Sequence, residues 1–263
     1  MSQLFYKYQG TGNDFILIDD RDLKFPASDK QLIAQLCHRR FGIGADGLIL
    51  LQTDEQSDFY MQYFNSDGSE STMCGNGGRC IAKFAHDLNI VSDRLKFRAV
   101  DGFHESHINA NDLVALQMKN VEEVFEEQGA VFILNTGSPH YVKFIEKDIA
   151  QIDIVQMARE IRYSERFKKE GINVNFVQVM PDQSLAVRTY ERGVEDETYS
   201  CGTGVTASAI AFASMQNRIL PNFTLRLGTP GGALRVTFER TETGQFQDVW
   251  LEGPAKFVYQ GVY

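Results

Sequence analysis

The chain has 263 residues, room for one large domain or two of ordinary size. Its 43% apolar and 23% charged residues are those of a soluble globular protein, and a net charge of −9 without clustered Lys and Arg argues against nucleic acid as a partner. No apolar run is long enough to cross a bilayer and no signal-peptide core opens the chain, so no membrane partner and a cytoplasmic location are expected. The four cysteines, Cys37, Cys74, Cys80 and Cys201, fit no zinc spacing, so no metal is expected, and a reducing compartment would leave them as thiols.

In chain order, Leu4–Tyr8 and Phe15–Asp19 read as strands around the turn-rich loop Gly10–Asp14. Ser28 is the expected N-cap of a helix burying Leu32, Ile33, Leu36 and Cys37, with Arg39 and Arg40 as solvated residues at its C-terminal end and Gly42 as its stop. Gly42-Ile43-Gly44-Ala45-Asp46-Gly47 spells G-x-G-x-x-G, but a dinucleotide loop needs a strand before it and a helix after. Here the helix precedes and the strand Leu48–Leu51 follows, so a tight left-handed turn is expected instead. Phe59–Phe64 is a strand and Asn65–Ser69 its turn. The stretch Met73-Cys74-Gly75-Asn76-Gly77-Gly78-Arg79-Cys80 then opens a helix with Ile81, Phe84, Ala85 and Leu88 on one face. Arg94–Val100 and Phe103–Ile108 form a hairpin through Asp101-Gly102, Leu113–Met118 closes this half, and Glu122–Gly129 reads as a polar crossover.

The second half replays the order. Strands around Phe132 and Tyr141 precede a helix from Asp153, with Ile154, Met157, Ala158 and Ile161 on one face. Strands Asn173–Val179 and Leu185–Tyr190 follow. Ser200-Cys201-Gly202-Thr203-Gly204-Val205 then opens a helix apolar nearly all round, as a buried helix would be. Strands around Leu225, Leu234–Phe238, Val249–Leu251 and Phe257–Tyr259 end the chain. The first helices start 125 residues apart and the glycine-flanked cysteines lie 127 apart, which points to an internal duplication. The expected fold is α+β: two pseudo-symmetric domains, each with strands around a buried helix, and a site in the cleft between them. The halves are residues 1–119, joined by a final strand 255–263, and 120–254.

A thiol at a helix N-terminus lies beside unpaired backbone N–H groups and the positive end of the helix dipole, which favours thiolate. Two such thiols suit inversion at an α-carbon, one abstracting a proton and the other donating to the opposite face. The N–H groups of Gly75, Asn76, Gly202 and Thr203 are candidates to hold the carboxylate that carries the developing charge. Rival readings are a redox pair, a weak G-x-G-x-x-A dinucleotide turn with no acidic residue about 20 positions on, and a silent amino-acid-binding protein.

Further stretches accompany the pair: Gly12-Asn13-Asp14-Phe15, Phe64-Asn65-Ser66-Asp67-Gly68, Gly137-Ser138-Pro139-His140, Asn173-Val174-Asn175-Phe176 and Tyr190-Glu191-Arg192-Gly193. With them the chain resembles the diaminopimelate epimerases from end to end. That resemblance implies cofactor-independent interconversion of LL- and meso-2,6-diaminopimelate, in lysine and peptidoglycan precursor synthesis. Cys201 would accept the proton of the LL isomer and Cys74 would donate. It implies that His140 and Glu191 tune the cysteines, that Asn13, Asn65, Asn173, Glu191 and Arg192 bind substrate, and that Tyr259 serves a homodimer. Two departures stand out: Ser138 replaces an asparagine and Gly47 a glutamine found in other members. The loop Gly193–Ser200 is also one residue longer than expected. A proline racemase or 4-hydroxyproline epimerase on the same fold is the nearest alternative.

Overall fold

The structure, a computed structural model, describes residues 3–216 and 222–263. Two compact units emerge, Met1–Leu116 with Gly253–Tyr263, and Gln117–Glu252. The first runs β1 (Leu4–Gly10), β2 (Asn13–Asp19), α1 (Lys30–Cys37), β3 (Gly47–Gln52), β4 (Phe59–Asn65), β5 (Glu70–Ser71), α2 (Gly75–Asp87), β6 (Arg94–Ala99), β7 (Gly102–Ile108) and β8 (Val114–Gln117). The second runs β9 (Val124–Glu127), β10 (Val131–Asn135), β11 (Pro139–Phe144), a 3-10 turn Ile149–Gln151, α3 (Ile154–Arg162), β12 (Asn173–Val179), β13 (Leu185–Glu191), β14 (Asp196–Thr198), α4 (Gly202–Met215), β15 (Phe223–Thr229), β16 (Gly232–Arg240) and β17 (Phe246–Gly253). The last strand, β18 (Lys256–Val262), pairs antiparallel with β1 of the first unit.

Each unit has the same pairing scheme. In the first, β1 pairs antiparallel with β2, β2 parallel with β3 across the α1 crossover, β3 antiparallel with β4, and β4 parallel with β6 across α2. In the second, β10–β11, β11–β12, β12–β13 and β13–β15 repeat that sequence of antiparallel and parallel pairs across α3 and α4. Strands β4 and β13 run from 59 to 65 and from 185 to 191, an offset of 126 at both ends. The duplication legible in the cysteine spacing therefore extends through the topology.

Burial explains the two kinds of helix. α1 and α3 are amphipathic, with only Ile33, Leu36 and Cys37, and Ile154 and Ala158, fully buried. α2 packs on β1, β2, β3, β7 and β18, and α4 on β10, β11, β12, β13, β15 and β16, so each is enclosed by its own unit. Helix α4 is accordingly apolar on every face, and its buried hydroxyls Thr206 and Ser208 bond back to the carbonyls of Gly202 and Gly204 at 3.0 and 2.8 Å.

Four local expectations need correction. The cap of α1 is Asp29, whose carboxylate accepts from the Leu32 N–H at 3.0 Å, because it sits three residues before that donor and Ser28 does not. The helix ends at Cys37, so Arg39 is no helix-end residue: it reaches Asp14 at 2.7 Å and Asp46 at 2.6 Å. The β6–β7 turn is Val100-Asp101, since Ala99 pairs with Gly102. Residues 124–127 are not a crossover but a strand pairing antiparallel with β10, whose exposed face accounts for the glutamates. The expected turn in the Gly42–Gly47 stretch is present, with Gly44 at φ +83°.

Candidate active site

In the first unit, Cys74 is the N-cap of α2, with extended backbone (φ −102°, ψ 146°), and its Sγ accepts the Gly77 N–H at 3.2 Å. N-caps are normally Ser, Thr, Asp or Asn. A thiol there gives up capping strength, which suggests a chemical rather than structural role. Gly77 keeps the turn open, because a Cβ would stand 3.2 Å from Cys74 Sγ and press on it.

Behind this turn lies Arg79, fully buried, with no ion pair to a carboxylate among the described residues. Its guanidinium donates to the Gly75 carbonyl at 3.3 Å, to Asn76 Oδ1 at 2.9 Å and to Thr11 Oγ1 at 3.1 Å. Asn76 in turn donates to Asn13 Oδ1 at 3.4 Å. Asn13 Nδ2 donates to Asp46, which Arg39 also holds. Burial pushes the Asp14 carboxyl up, but Arg39 and Lys7 outweigh it and hold it at about 2. The G-x-G-x-x-G stretch thus serves to deliver Asp46 to Asn13. Asn65 ends β4 opposite Gly47 of β3. A Cβ on Gly47 would come within 2.6 Å of the Tyr63 ring and of the Phe64 carbonyl, so the aromatic ring fills space that a longer residue would need.

In the second unit, Cys201 holds the N-cap position of α4 with extended backbone but without a side-chain capping bond, is 7% exposed, and lies 3.4 Å from Thr203 Oγ1. His140, fully buried on β11, places Nε2 2.9 Å from Thr203 Oγ1 and 3.1 Å from Ser138 Oγ. Asn175 Nδ2 donates to the Tyr141 carbonyl at 3.1 Å and lies 3.0 Å from His140 Nδ1; its Oδ1 accepts from Thr189 at 2.9 Å. Asn173 donates to Ser138 Oγ at 2.9 Å and to the Pro139 carbonyl at 3.1 Å, and accepts the Arg192 backbone N–H at 2.9 Å. Arg192 is exposed, with one guanidinium N–H on the Glu170 carbonyl at 2.9 Å, and rests on Gly171, where φ is +75° and a Cβ would meet its Cδ at 2.6 Å. Glu191 ends β13 opposite Asp196. Tyr259 lies on β18 and meets Phe5 edge-on at 6.0 Å.

Burial, helped by the Arg192 charge and opposed by the Asn175 hydrogen bond, lowers His140 to about 3 from 6.5. The folded protein therefore keeps this imidazole neutral while the unfolded chain protonates it below 6.5. Stability should be lost progressively as pH falls from 6.5 toward 3, with Asp14 adding its loss only between 3.8 and 2. Urea midpoints measured across this range should fall below pH 6.5 and flatten in His140→Gln. A flat wild-type profile down to about pH 4.5 would rule out a buried neutral histidine.

The structure thus joins Cys74, Gly75, Asn76 and Asn13 in one unit, and Cys201, Thr203, His140, Asn173 and Arg192 in the other. Arg79, Thr11, Asp46, Asn175 and Thr189 are contributors not singled out from the sequence. Arg79 and Asn175 did carry a signal, as polar residues inside stretches that read as buried. Among the described residues no group of three His, Cys, Asp or Glu side chains could hold a metal ion, and no helix is long and apolar enough to cross a membrane.

The fold is one shared with solved structures of low sequence identity. A Bacillus anthracis phenazine biosynthesis protein of the PhzF family superposes with a TM-score of 0.76 at 11% identity, covering 100% of this chain and 99% of that one. A hydroxyproline epimerase from Agrobacterium vitis gives 0.70 at 12%, covering 99% and 92%. Sequence relatives are more specific: the diaminopimelate epimerase of Flavobacterium psychrophilum is 52% identical, covering 97% of this chain and 98% of that protein, and that of Aquifex aeolicus 37%, covering 98% and 96%. The diaminopimelate epimerase family model matches residues 5–124 and 132–258, and the chain belongs to that family.

Proposed function

We propose that this chain epimerises LL-2,6-diaminopimelate to meso-2,6-diaminopimelate with Cys201 and Cys74 as its two acid–base groups. Amino-acid epimerisation is the family's activity, which makes the chain an isomerase. The observation that carries the two-base reading is a repeated placement: in each unit a cysteine stands at the N-cap position of an enclosed helix, where a hydroxyl or carboxylate is usual.

The step balances with two thiols. The Cys201 thiolate takes the α-proton, the C–H electron pair is left on carbon and spreads into the carboxylate, and the Cys74 thiol protonates the opposite face. Cys201 is left as thiol and Cys74 as thiolate, and proton exchange with solvent resets them. The N–H groups at the starts of α2 and α4 would carry the carboxylate charge through the transition state, where donors fixed in advance act most strongly. A thiolate at Cys74 would also offset the buried Arg79 charge, otherwise costly to hold.

For the distal amino-acid group, Arg192 is the charge partner, its guanidinium exposed and its stem supported by Gly171. Asn13, Asn65 and Glu191 complete the substrate contacts. Asn173, with both amide hydrogens engaged, acts largely by fixing the Arg192 backbone. We also assign each cysteine to its own domain, residues 1–119 with 255–263 and 120–254, and place the protein in the cytoplasm as a homodimer. The exposed apolar residues of β18, Phe257, Val258, Tyr259 and Val262, support the dimer.

Incubation of either diaminopimelate epimer in D₂O tests the function. Deuterium should enter at one α-carbon as the other epimer accumulates. Exchange into proline but not diaminopimelate would assign the chain to a proline-type racemase, and binding without exchange would make it a silent binding protein.

A further inference from the structure

The protons on both sides of Thr203 can be traced from groups with only one possible role. The Tyr141 carbonyl can only accept, so the Asn175 atom 3.1 Å from it is Nδ2; Thr189 then donates to Oδ1 at 2.9 Å. That same Nδ2 faces His140 Nδ1 at 3.0 Å, so Nδ1 accepts and the neutral ring carries its proton on Nε2. On the other side, the Arg192 N–H can only donate, which assigns the Asn173 oxygen and directs its Nδ2 to Ser138 Oγ at 2.9 Å. The Nε2–H of His140 then has Thr203 Oγ1 as its nearer acceptor, at 2.9 Å against 3.1 Å for Ser138 Oγ. The Ser138 hydroxyl, already accepting from Asn173 and facing the protonated Nε2, has Thr203 Oγ1 at 3.3 Å to donate to. With these two donors on Oγ1, its own proton has Cys201 Sγ, 3.4 Å away, to receive it.

We propose that the Thr203 side chain is a positioning residue that stabilises the Cys201 thiolate, the last donor of a proton-ordered network held from one side by Asn175 and from the other by Asn173. On this account His140 acts on the sulfur through Thr203 as a neutral donor, not as a proton acceptor or an imidazolium. The inference rests on Cys201 being one of the two bases. It assigns Thr203 two separable tasks: a backbone N–H for the substrate carboxylate and a hydroxyl for the sulfur. The hydroxyl bonds the sulfur while it carries charge, in the thiolate and in the transition state where the proton is only part-way transferred, so its loss raises the barrier from either side and shows in turnover rather than in binding.

Thr203→Val keeps the backbone N–H and the side-chain shape and removes only the hydroxyl. Its kcat should fall about 10- to 100-fold in both directions with KM within about twofold, the range for a hydrogen bond to a charged group. Thr203→Ser should restore the rate. In a Cys74→Ala background, where alkylation reports on Cys201, Thr203→Val should move the alkylation pH profile upward and Thr203→Ser should leave it in place. In the full-length wild type, nitrogen NMR should find His140 protonated on Nε2 at neutral pH. A Thr203→Val enzyme with unchanged kcat and alkylation profile overturns the proposal, as does an Nδ1-protonated His140. A shared fall in kcat and unfolding midpoint with no move in the alkylation profile would also overturn it, by reducing Thr203 to a structural role. Full activity in Cys201→Ser would instead remove the base assignment itself, an outcome that the Thr203 variants cannot produce.

Discussion

Serine in place of either Cys74 or Cys201 is expected to lower net epimerisation by about 10²–10⁴-fold or more, the range for removing one general acid or base. A hydroxyl is a far weaker acid than a thiol, so the substituted side can neither abstract nor be regenerated at neutral pH. The two variants should differ in what survives. With one thiol left, slow α-proton exchange into deuterated solvent should persist for a single epimer, a different one in each variant, because each sulfur addresses one face of the α-carbon. Stability should move the other way. Serine is a better N-cap than cysteine, so Cys74→Ser should unfold at the same or higher urea than wild type while losing turnover. Proton NMR in D₂O and a urea titration measure both. Either variant epimerising within about tenfold of wild type would refute the two-base assignment.

The second large effect is expected at Gly204, where one methyl group should be enough. Its Cβ would stand 2.3 Å from Asn175 Oδ1 and 3.2 Å from Thr189 Oγ1, and Asn175 is fully buried and fixed by hydrogen bonds at 2.9–3.1 Å. The clash cannot be relieved by a flexible side-chain end. Either α4 withdraws, carrying Cys201 and Thr203 with it, or Asn175 rotates and releases His140. Gly204→Ala should therefore cost about 1–3 kcal/mol of stability, the usual price of overpacking, together with most of kcat. The helical conformation is not the obstacle, since alanine is the better helix former. Chemical denaturation and steady-state kinetics decide; a variant that is active and at least as stable as wild type would show that Asn175 does not hold its position against α4.

Much of this was legible in the chain. The two cysteines, their glycines and the 127-residue interval point to paired helix N-termini, because a glycine turn followed by an apolar helical pattern has few alternative conformations. The buried character of α4 follows from its lack of a polar face, and β12 and β13 follow from their apolar runs. The misassigned places are those where local pattern is ambiguous. Glu122–Gly129 looks like a linker because β9 exposes its side chains, and only pairing with β10 makes it a strand. Arg39 looks like a helix-end residue because its partners, Asp14 and Asp46, are 25 and 7 positions away.

The same division holds at the site. Helix-capping thiols are local features: residue type, the turn before and the helix after define them, so the sequence alone singles out the two thiols proposed as the acid–base pair. The environments of the two sulfurs differ, and the second is non-local. Asn76 and Thr203 occupy the same place, two residues after the cysteine, yet one is bonded to a buried arginine and the other to a buried histidine. Those neighbours arrive from different helix and strand positions, 3 residues away in the first unit and 63 in the second. Hydrogen-bond direction, burial and the space denied to a Cβ depend on what packs alongside, and they emerge with the folded packing.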